Sequence, residues 1–427
     1  MSLYIMFGLF FILLLLGTPI GFTLMLSSVS YLLMEGTQLA VIVQKFTSGV
    51  NNFTLIAVPF FILAANFMNT AGVTTKLFNF ARKCIGWVPG GLAHTNVVAS
   101  IIFAGMSGAA VADAGGLGTI EIAAMREDGY DDDFSAAVTG ASSTIGPIIP
   151  PSIPMVVYCI ITGTSVAAMF AGGVIPGVIM GLGMMVLIFF MALKRRYKRH
   201  PFQGFRDLAK ATLSAIPALM TIVIILGGIL GGICTPTEAG ALAVAYSLIL
   251  GLFFYKTLNW KSIKKCLINT ASSTASVMTI VMGASLFAWV LTIEKVPVML
   301  SDVLMQFTNG SPILFMLFAN VIFLILGCFL EPTAAMLIMM PIMMPMCDAM
   351  GISLVHFGVV VVLNLMIGLL TPPVGLVISL MSNTVKRPIG AVFKATLPFF
   401  IVLVAVLLLI SYIPSIVMWI PSLLGYA

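Results

Sequence analysis

Two stretches of hydroxyl residues, glycines and prolines inside apolar sequence are the places where this chain can do chemistry. The first is Ser142-Ser143-Thr144-Ile145-Gly146-Pro147-Ile148-Ile149-Pro150-Pro151-Ser152-Ile153-Pro154, set in an apolar segment from Phe134 to about Thr162. Proline has no N–H and clashes with the preceding turn, so four prolines and a glycine cannot continue a helix. The second is Ile367-Gly368-Leu369-Leu370-Thr371-Pro372-Pro373-Val374-Gly375, with Gly368 222 residues after Gly146. In hydrocarbon every freed carbonyl and N–H is costly, so such breaks survive only buried in protein or lining a wet cavity. Broken helices at membrane depth expose carbonyl and hydroxyl oxygens, and these coordinate ions. A proline kink held by neighbouring helices is the plainer reading of one break, and the recurrence argues against it.

Two strings of small residues face these breaks. Phe103-Ala104-Gly105-Met106-Ser107-Gly108-Ala109-Ala110-Val111-Ala112-Asp113-Ala114-Gly115-Gly116 can turn tightly, with an interruption expected at 105–108. A second half-helix would begin there, offering free N–H groups and a positive dipole to an anion. Asp113 is costly at membrane depth, which makes a functional role the default; an N-cap is the alternative. Gly327 to Thr333 repeats the pattern, with Glu331 before Pro332 in a helix-starting position and a capping role equally open. Sodium takes five or six oxygens, much as other hard cations do. One expected cage joins Ser107 to carbonyls around Gly146, Ile149 and Pro150; the other joins Gly327, Gly368, Thr371 and Val374. The tip region around them, expected to meet substrate, comprises Gly108, Ala109, Asp113, Ser143, Thr144, Glu331, Thr333, Pro372 and Gly375.

Gly105-Met106-Ser107-Gly108 also admits an intramembrane hydrolase with Ser107 as nucleophile and His94, His200 or His356 as base. Four residues in a glycine-rich chain match such a motif easily by chance, and the 222-residue recurrence has no place in that reading. The expectation is therefore no enzyme and no organic cofactor, with sodium as the only metal. The six cysteines show no CxxC or metal spacing and read as packing residues.

The elements that position these residues follow from composition. The chain has 427 residues, 60% hydrophobic and 8% charged, with a mean hydropathy of +1.16. That excludes a soluble domain and predicts an all-α polytopic membrane protein set in a lipid bilayer. Apolar runs leave no room for a soluble catalytic or nucleic-acid-binding domain. The first run reaches Thr18-Pro19 without a basic leader, so no cleavable signal peptide is expected.

The chain reads as two halves, 1–200 and 201–427. The first holds scaffold helices within 2–71, a polar loop up to Asn52, a hairpin at 93–126, a broken helix at 134–163 and a span at 166–193. The second holds scaffold helices within 213–292, a hairpin at 311–348, a broken helix at 353–385 and a span at 393–418, with Lys256 to Lys265 as a basic amphipathic stretch. Thr18-Pro19 aligns with Thr235-Pro236 at an offset of 217, and Asp113 with Glu331 at 218. If each hairpin enters and leaves on one side, each half crosses five times and the second is inverted. With both termini outside, 18 of the 20 Lys and Arg fall on the cytoplasmic side, leaving Lys45 and Lys295 outside. The expected fold is two inverted-topology repeats, each with a re-entrant hairpin and a proline-broken helix.

At Ser107-Gly108-Ala109-Ala110-Val111-Ala112-Asp113, Ile145 to Pro154, Thr235-Pro236-Thr237-Glu238-Ala239-Gly240-Ala241 and Gly368 to Gly375, the sequence resembles a known family. That family is the large membrane subunit of tripartite ATP-independent periplasmic (TRAP) transporters. One departure is Ala109, where many members carry a second Ser. The resemblance implies a sodium-driven secondary transporter of the bacterial inner membrane with an elevator-type fold, the hairpins and broken helices moving against the scaffold. It implies a small four-helix membrane subunit and a periplasmic solute-binding protein as partners. It also implies an organic acid substrate, such as a C4-dicarboxylate, sialic acid or another sugar acid. A stand-alone sodium/carboxylate symporter of similar fold is the alternative.

Overall fold

The computed structural model describes residues 1–202 and 204–426, so the second half is described except at 203 and 427. The described residues form helices and no strand. Among the described residues, eight helices are long and apolar enough to cross a membrane: Phe53–Thr70, Val166–Arg195, Phe205–Leu230, Pro236–Phe254, Trp260–Ile293, Pro312–Phe329, Pro332–Ala349 and Ile389–Tyr412. The chain is a multi-pass membrane protein.

One set of helices, expected as the scaffold, packs together. Ser2–Leu15 and Ile20–Met34 lie against each other, split where Gly17 takes a positive φ ahead of Pro19. Ala57–Thr70 packs on Pro236–Ile249 and on Trp260–Ile293, and the latter also covers Ile20–Met34. Residues 40–50, expected as a polar loop, are instead the helix Ala40–Val50 lying along Trp260–Ile293. None of its residues is buried, and Gln44, Lys45 and Ser48 interrupt its apolar pattern, which is why it does not read as a span. The basic stretch 256–265 is mostly the first turns of Trp260–Ile293. Asn259 caps that helix, accepting from the Ser262 N–H at 2.9 Å while Ser262 Oγ accepts from the Asn259 N–H. Phe205–Leu230 starts eight residues before the expected 213. Val296–Thr308 and Pro414–Leu423 are further short helices that composition did not mark.

The other set holds both hairpins and both broken helices. The first hairpin is Gly91–Ser107, a short Ala110–Gly115, and Leu117–Glu127; the second is Pro312–Phe329 and Pro332–Ala349. The broken helices are Asp132–Ser143 with Ile153–Thr162, and Leu354–Gly368 with Leu376–Val385. The first turn lies at Gly108-Ala109, later than the expected 105–108, because Gly105 and Met106 stay helical and Gly108 takes the positive φ. Val166–Arg195 and Ile389–Tyr412 pack on each other behind these elements. Every residue from Val355 to Gly368 is buried, which puts the second broken helix at the centre of the core.

Close crossing of Pro312–Phe329 and Leu354–Gly368 depends on two glycines. A Cβ on Gly368 would sit 2.5 Å from the Gly327 backbone, whereas one on Gly390 would meet nothing within 4 Å. Gly368→Ala should therefore lower thermal stability by about 1–3 kcal/mol, as overpacking does in a tight core. Gly390→Ala should leave it unchanged or raise it slightly. Thermal unfolding of the two purified variants in detergent checks the contrast.

Candidate functional site

Each hairpin tip is tied to the break of its broken helix by one backbone bond. Ile153 N–H donates to the Gly108 carbonyl at 3.3 Å, and Val374 N–H donates to the Cys328 carbonyl at 3.3 Å. Gly108 is a glycine by necessity, since a Cβ there would lie 2.4 Å from the Pro151 carbonyl oxygen. The X-Pro bonds Pro150-Pro151 and Pro372-Pro373 are both cis. Ser152 caps Ile153–Thr162 by accepting from Met155 N–H at 3.2 Å, and donates to the Pro147 carbonyl at 2.5 Å. The break thus keeps its geometry from its own side chain.

In the expected first group, Gly146 packs against the Ala109 backbone, and the Ser107 hydroxyl, two residues before Ala109, is buried with no hydrogen-bond partner. Ile149 seats its side chain against Gly177 of Val166–Arg195. Ser143 and Thr144 donate their hydroxyl protons to the Gly140 and Ala141 carbonyls, leaving only lone pairs to offer a ligand. In the second group, Gly327 and Gly368 touch backbone to backbone and Thr371 donates to the Ile367 carbonyl at 3.1 Å. Val374 is largely exposed, and it borders a cavity of about 290 Å³ with Gly327 and Gly375.

The two carboxylates differ. Glu331 is the N-cap of Pro332–Ala349: it accepts from Ala334 N–H at 3.3 Å and from the Thr333 hydroxyl at 2.9 Å. Asp113 is not a cap. The cap position of Ala110–Gly115 is Ala109, which has no side chain to serve, and Asp113 lies one turn inside with both carboxyl oxygens unpartnered.

Both tips and both breaks open on one cavity of about 410 Å³. It is lined by Ser107, Ala109 to Ala112, Pro147, Ile153, Glu331 to Thr333, Met366 and Leu369, and it is closed by Asn66 of Ala57–Thr70 and Ser273 of Trp260–Ile293. No Lys or Arg lines it. A wider cleft of about 680 Å³ lies elsewhere, among mutually paired charges: Arg195 with Asp131 and Arg387 with Asp133. Two of its charged pairs are engaged with each other, and neither hairpin tip reaches it, so the 410 Å³ cavity is the stronger site.

Side-chain amides hold each hairpin to its broken helix, and the search for hydroxyls and carboxylates missed them. Asn96 Nδ2 donates to Thr139 Oγ1 at 2.7 Å, and Ser142 Oγ donates to Asn96 Oδ1 at 2.6 Å. Asn364 Nδ2 donates to the Asn320 carbonyl at 2.8 Å, and Asn320 Nδ2 donates to Ser411 Oγ at 3.0 Å. Their signal was an isolated Asn in an apolar run. The serine–histidine pairing of the hydrolase reading is not assembled: His200 bonds Asp128, His356 bonds the Ile410 carbonyl, and neither His94 nor any other histidine bonds Ser107.

Residues 7–416 match the sequence model of a family described as "Tripartite ATP-independent periplasmic transporter, DctM component". The chain is 41% identical over 412 residues to the sialic acid TRAP transporter large permease protein SiaM of Vibrio cholerae, covering 96% of each chain. It is 37% identical to the C4-dicarboxylate TRAP transporter large permease protein DctM of Vibrio cholerae, covering 99% of this chain and 98% of that one. Among solved structures it resembles the Alcanivorax borkumensis YdaH transporter, with TM-score 0.57 over 87% of this chain and 86% of that one at 14% identity. At that identity the likeness is one of fold.

Asn96→Ala removes two buried hydrogen bonds and leaves the Thr139 hydroxyl without its partner, while Ser142 keeps the Thr139 carbonyl, so stability should fall by about 1–3 kcal/mol. Glu331→Ala should cost about 1 kcal/mol through the lost cap. Ser107→Ala has no bond to lose and should stay within about 0.5 kcal/mol of the parent. Melting curves of the three variants without sodium should rank them in that order.

Proposed function

The chain belongs to the DctM family of tripartite ATP-independent periplasmic transporters, and from that premise we propose that it is the sodium-coupled permease that imports an organic acid. The observation that carries this reading is the single cavity where both tips and both breaks meet, closed by the scaffold and free of cationic side chains. An organic acid there is held by neutral donors: the first N–H groups of Ala110–Gly115, whose cap position is empty of side chain, and the Ser107 hydroxyl. Sodium held by Ser107 and the carbonyls of the first break, and by the Gly327, Gly368, Thr371 and Val374 group, supplies the positive charge that the cavity walls lack. Glu331 lines the cavity too, with its carboxylate turned to the Ala334 N–H and the Thr333 hydroxyl at the start of its own helix. Acids of the kind named for the relatives, sialic acid or a C4-dicarboxylate, are the substrates to try first.

The same reading takes the two halves as inverted repeats in the bacterial inner membrane with both termini periplasmic, in line with the placement of Lys and Arg. A small membrane subunit and a periplasmic binding protein complete the system, as the family's description and the relatives' names suggest. Both hairpins and both broken helices travel as one body. The tip–break bonds join each hairpin to its own broken helix, and Ile153–Thr162 packs on Pro332–Ala349 while Leu376–Val385 packs on Asp132–Ser143. Sliding past the scaffold therefore preserves contacts that separate movement would break.

Uptake into proteoliposomes with a cognate binding protein should require an inward sodium gradient and be lost when potassium replaces sodium at equal voltage. Ser107→Ala should raise the half-saturating sodium concentration about five-fold, the worth of one hydrogen bond of about 1 kcal/mol. Full uptake on potassium alone would remove the coupling claim. In a background lacking the six native cysteines, Ala109→Cys and Thr371→Cys should gain and lose reactivity to an external thiol reagent together. Independent changes at the two positions would mean separate gates.

A further inference from the structure

We propose that two scaffold helices carry a polar, water-filled path out of the cavity, and that the substrate is released along it. Its residues are Asn66, Asn69 and Thr70 of Ala57–Thr70 and Ser273, Ser272 and Asn269 of Trp260–Ile293. The path opens at the end of Trp260–Ile293 that bears Lys261, Lys264 and Lys265. What travels along it rests on the transport reading above; where it opens does not.

The two helices run antiparallel, and two side-chain contacts fix their register. Asn66 Nδ2 donates to Thr270 Oγ1 at 2.9 Å, and Thr70 Oγ1 lies 3.2 Å from Cys266 Sγ. Asn66 and Ser273 line the cavity together with Ser107, whose hydroxyl is buried and unpartnered. From that point one helix continues through Asn69 and Thr70 while the other runs back through Ser272, Asn269 and Lys265, so both lead the same way. Lys265, Asn269, Ser272, Ser273 and Ser276 fall on one helix face, because residues three and four apart lie one above the other. All five are exposed, as are Asn69 and Thr70. In the opposite direction the same two faces turn apolar and close. Ala57–Thr70 presents Ile62 and then the buried Val58, and Trp260–Ile293 presents Ile280, Gly283 and Phe287. A Cβ on Gly283 would lie 2.5 Å from the Gly21 carbonyl oxygen, and the Phe287 ring packs on Phe7 and Phe10.

Lipid does not suit this face. The side chains of Asn269, Ser272 and Ser273 make no hydrogen bond among the described residues, and against hydrocarbon they would stay unsatisfied. Polar side chains at membrane depth face protein or a wet cavity. Asn69 faces the first hairpin: its Oδ1 accepts from the Thr74 hydroxyl at 2.8 Å, and its Nδ2 lies 2.7 Å from where a Cβ on Gly116 would be. An organic acid leaving the cavity meets neutral amides and hydroxyls first and the lysines last, and their field favours departure of an anion at that end. On the membrane orientation proposed above that end is cytoplasmic, so the conformation described is the one that delivers substrate to the cell.

Thiol labelling in oriented membrane vesicles tests the path without transport. In the background lacking the six native cysteines, Asn269→Cys and Ser272→Cys should react with a membrane-impermeant maleimide from the side that labels Lys261→Cys, and not from the other. Ile280→Cys, further along the same face, should react from neither side. Labelling of Asn269→Cys and Ser272→Cys from the side opposite Lys261→Cys, or equal labelling of Ile280→Cys, overturns the proposal. No labelling of either path position makes the row a contact with lipid or another protein and overturns it too. If Lys261→Cys itself labels from the outside, the membrane orientation fails and the path stands. For what travels along it, Asn269→Trp should lower maximal uptake several-fold with substrate binding in detergent unchanged. Leu267→Trp, exposed on the opposite face, should keep the parental rate. Parental uptake in Asn269→Trp rejects the path as the substrate's route. Absence of sodium-driven uptake in the parent rejects the transport reading instead and leaves the labelling result in force.

Discussion

The structure depends on one requirement: a backbone group freed inside an apolar core must find a partner. Each proline break removes ladder bonds that a continuous helix would have made, and the hairpin tip of the same half supplies one replacement. Ile153 bonds Gly108, and Val374 bonds Cys328. These two contacts join elements far apart in sequence into units that cannot be parted cheaply. They also bring backbone carbonyls and unspent N–H groups to the cavity wall, where a side-chain site would need buried charges.

The other packing choices serve that requirement. Backbones approach this closely only where a Cβ is absent, as at Gly108 against Pro151 and at Gly327 against Gly368. Asn96 and Asn320 then hold each hairpin's first leg to its broken helix or to the helix behind it, through polar atoms that would be costly if left alone. Ionic pairing is kept to the surface: Arg126, Arg195 and Arg387 pair with Asp132, Asp131 and Asp133 around the start of Asp132–Ser143. At that exposure each pair adds little stability. Together they fix where the first broken helix begins. Two buried carboxyls, Asp113 and Glu121, break this rule.

Much of this was legible in the chain itself. Hydropathy alone required a multi-pass helical protein, and the clusters Ser142 to Pro154 and Ile367 to Gly375 marked both breaks, because proline cannot propagate a helix whatever surrounds it. Glu331 before Pro332 carried the signature of a helix start, and it is one. Tertiary structure decided what local rules leave open. The first tip turns at Gly108 and not at Gly105, since Gly108 is the residue that must pass under the Pro151 carbonyl. Asp113 had the residue type of a cap, but the cap position is Ala109, and the folded chain buries the Asp113 carboxyl one turn inside the helix with no hydrogen-bond partner. Ala40–Val50 is a helix because Trp260–Ile293 gives it a surface to lie on. Sequence determined where the helices had to stop, a matter of local sterics. Which ends face each other across the cavity is a matter of long-range contact, and only the folded chain decides it.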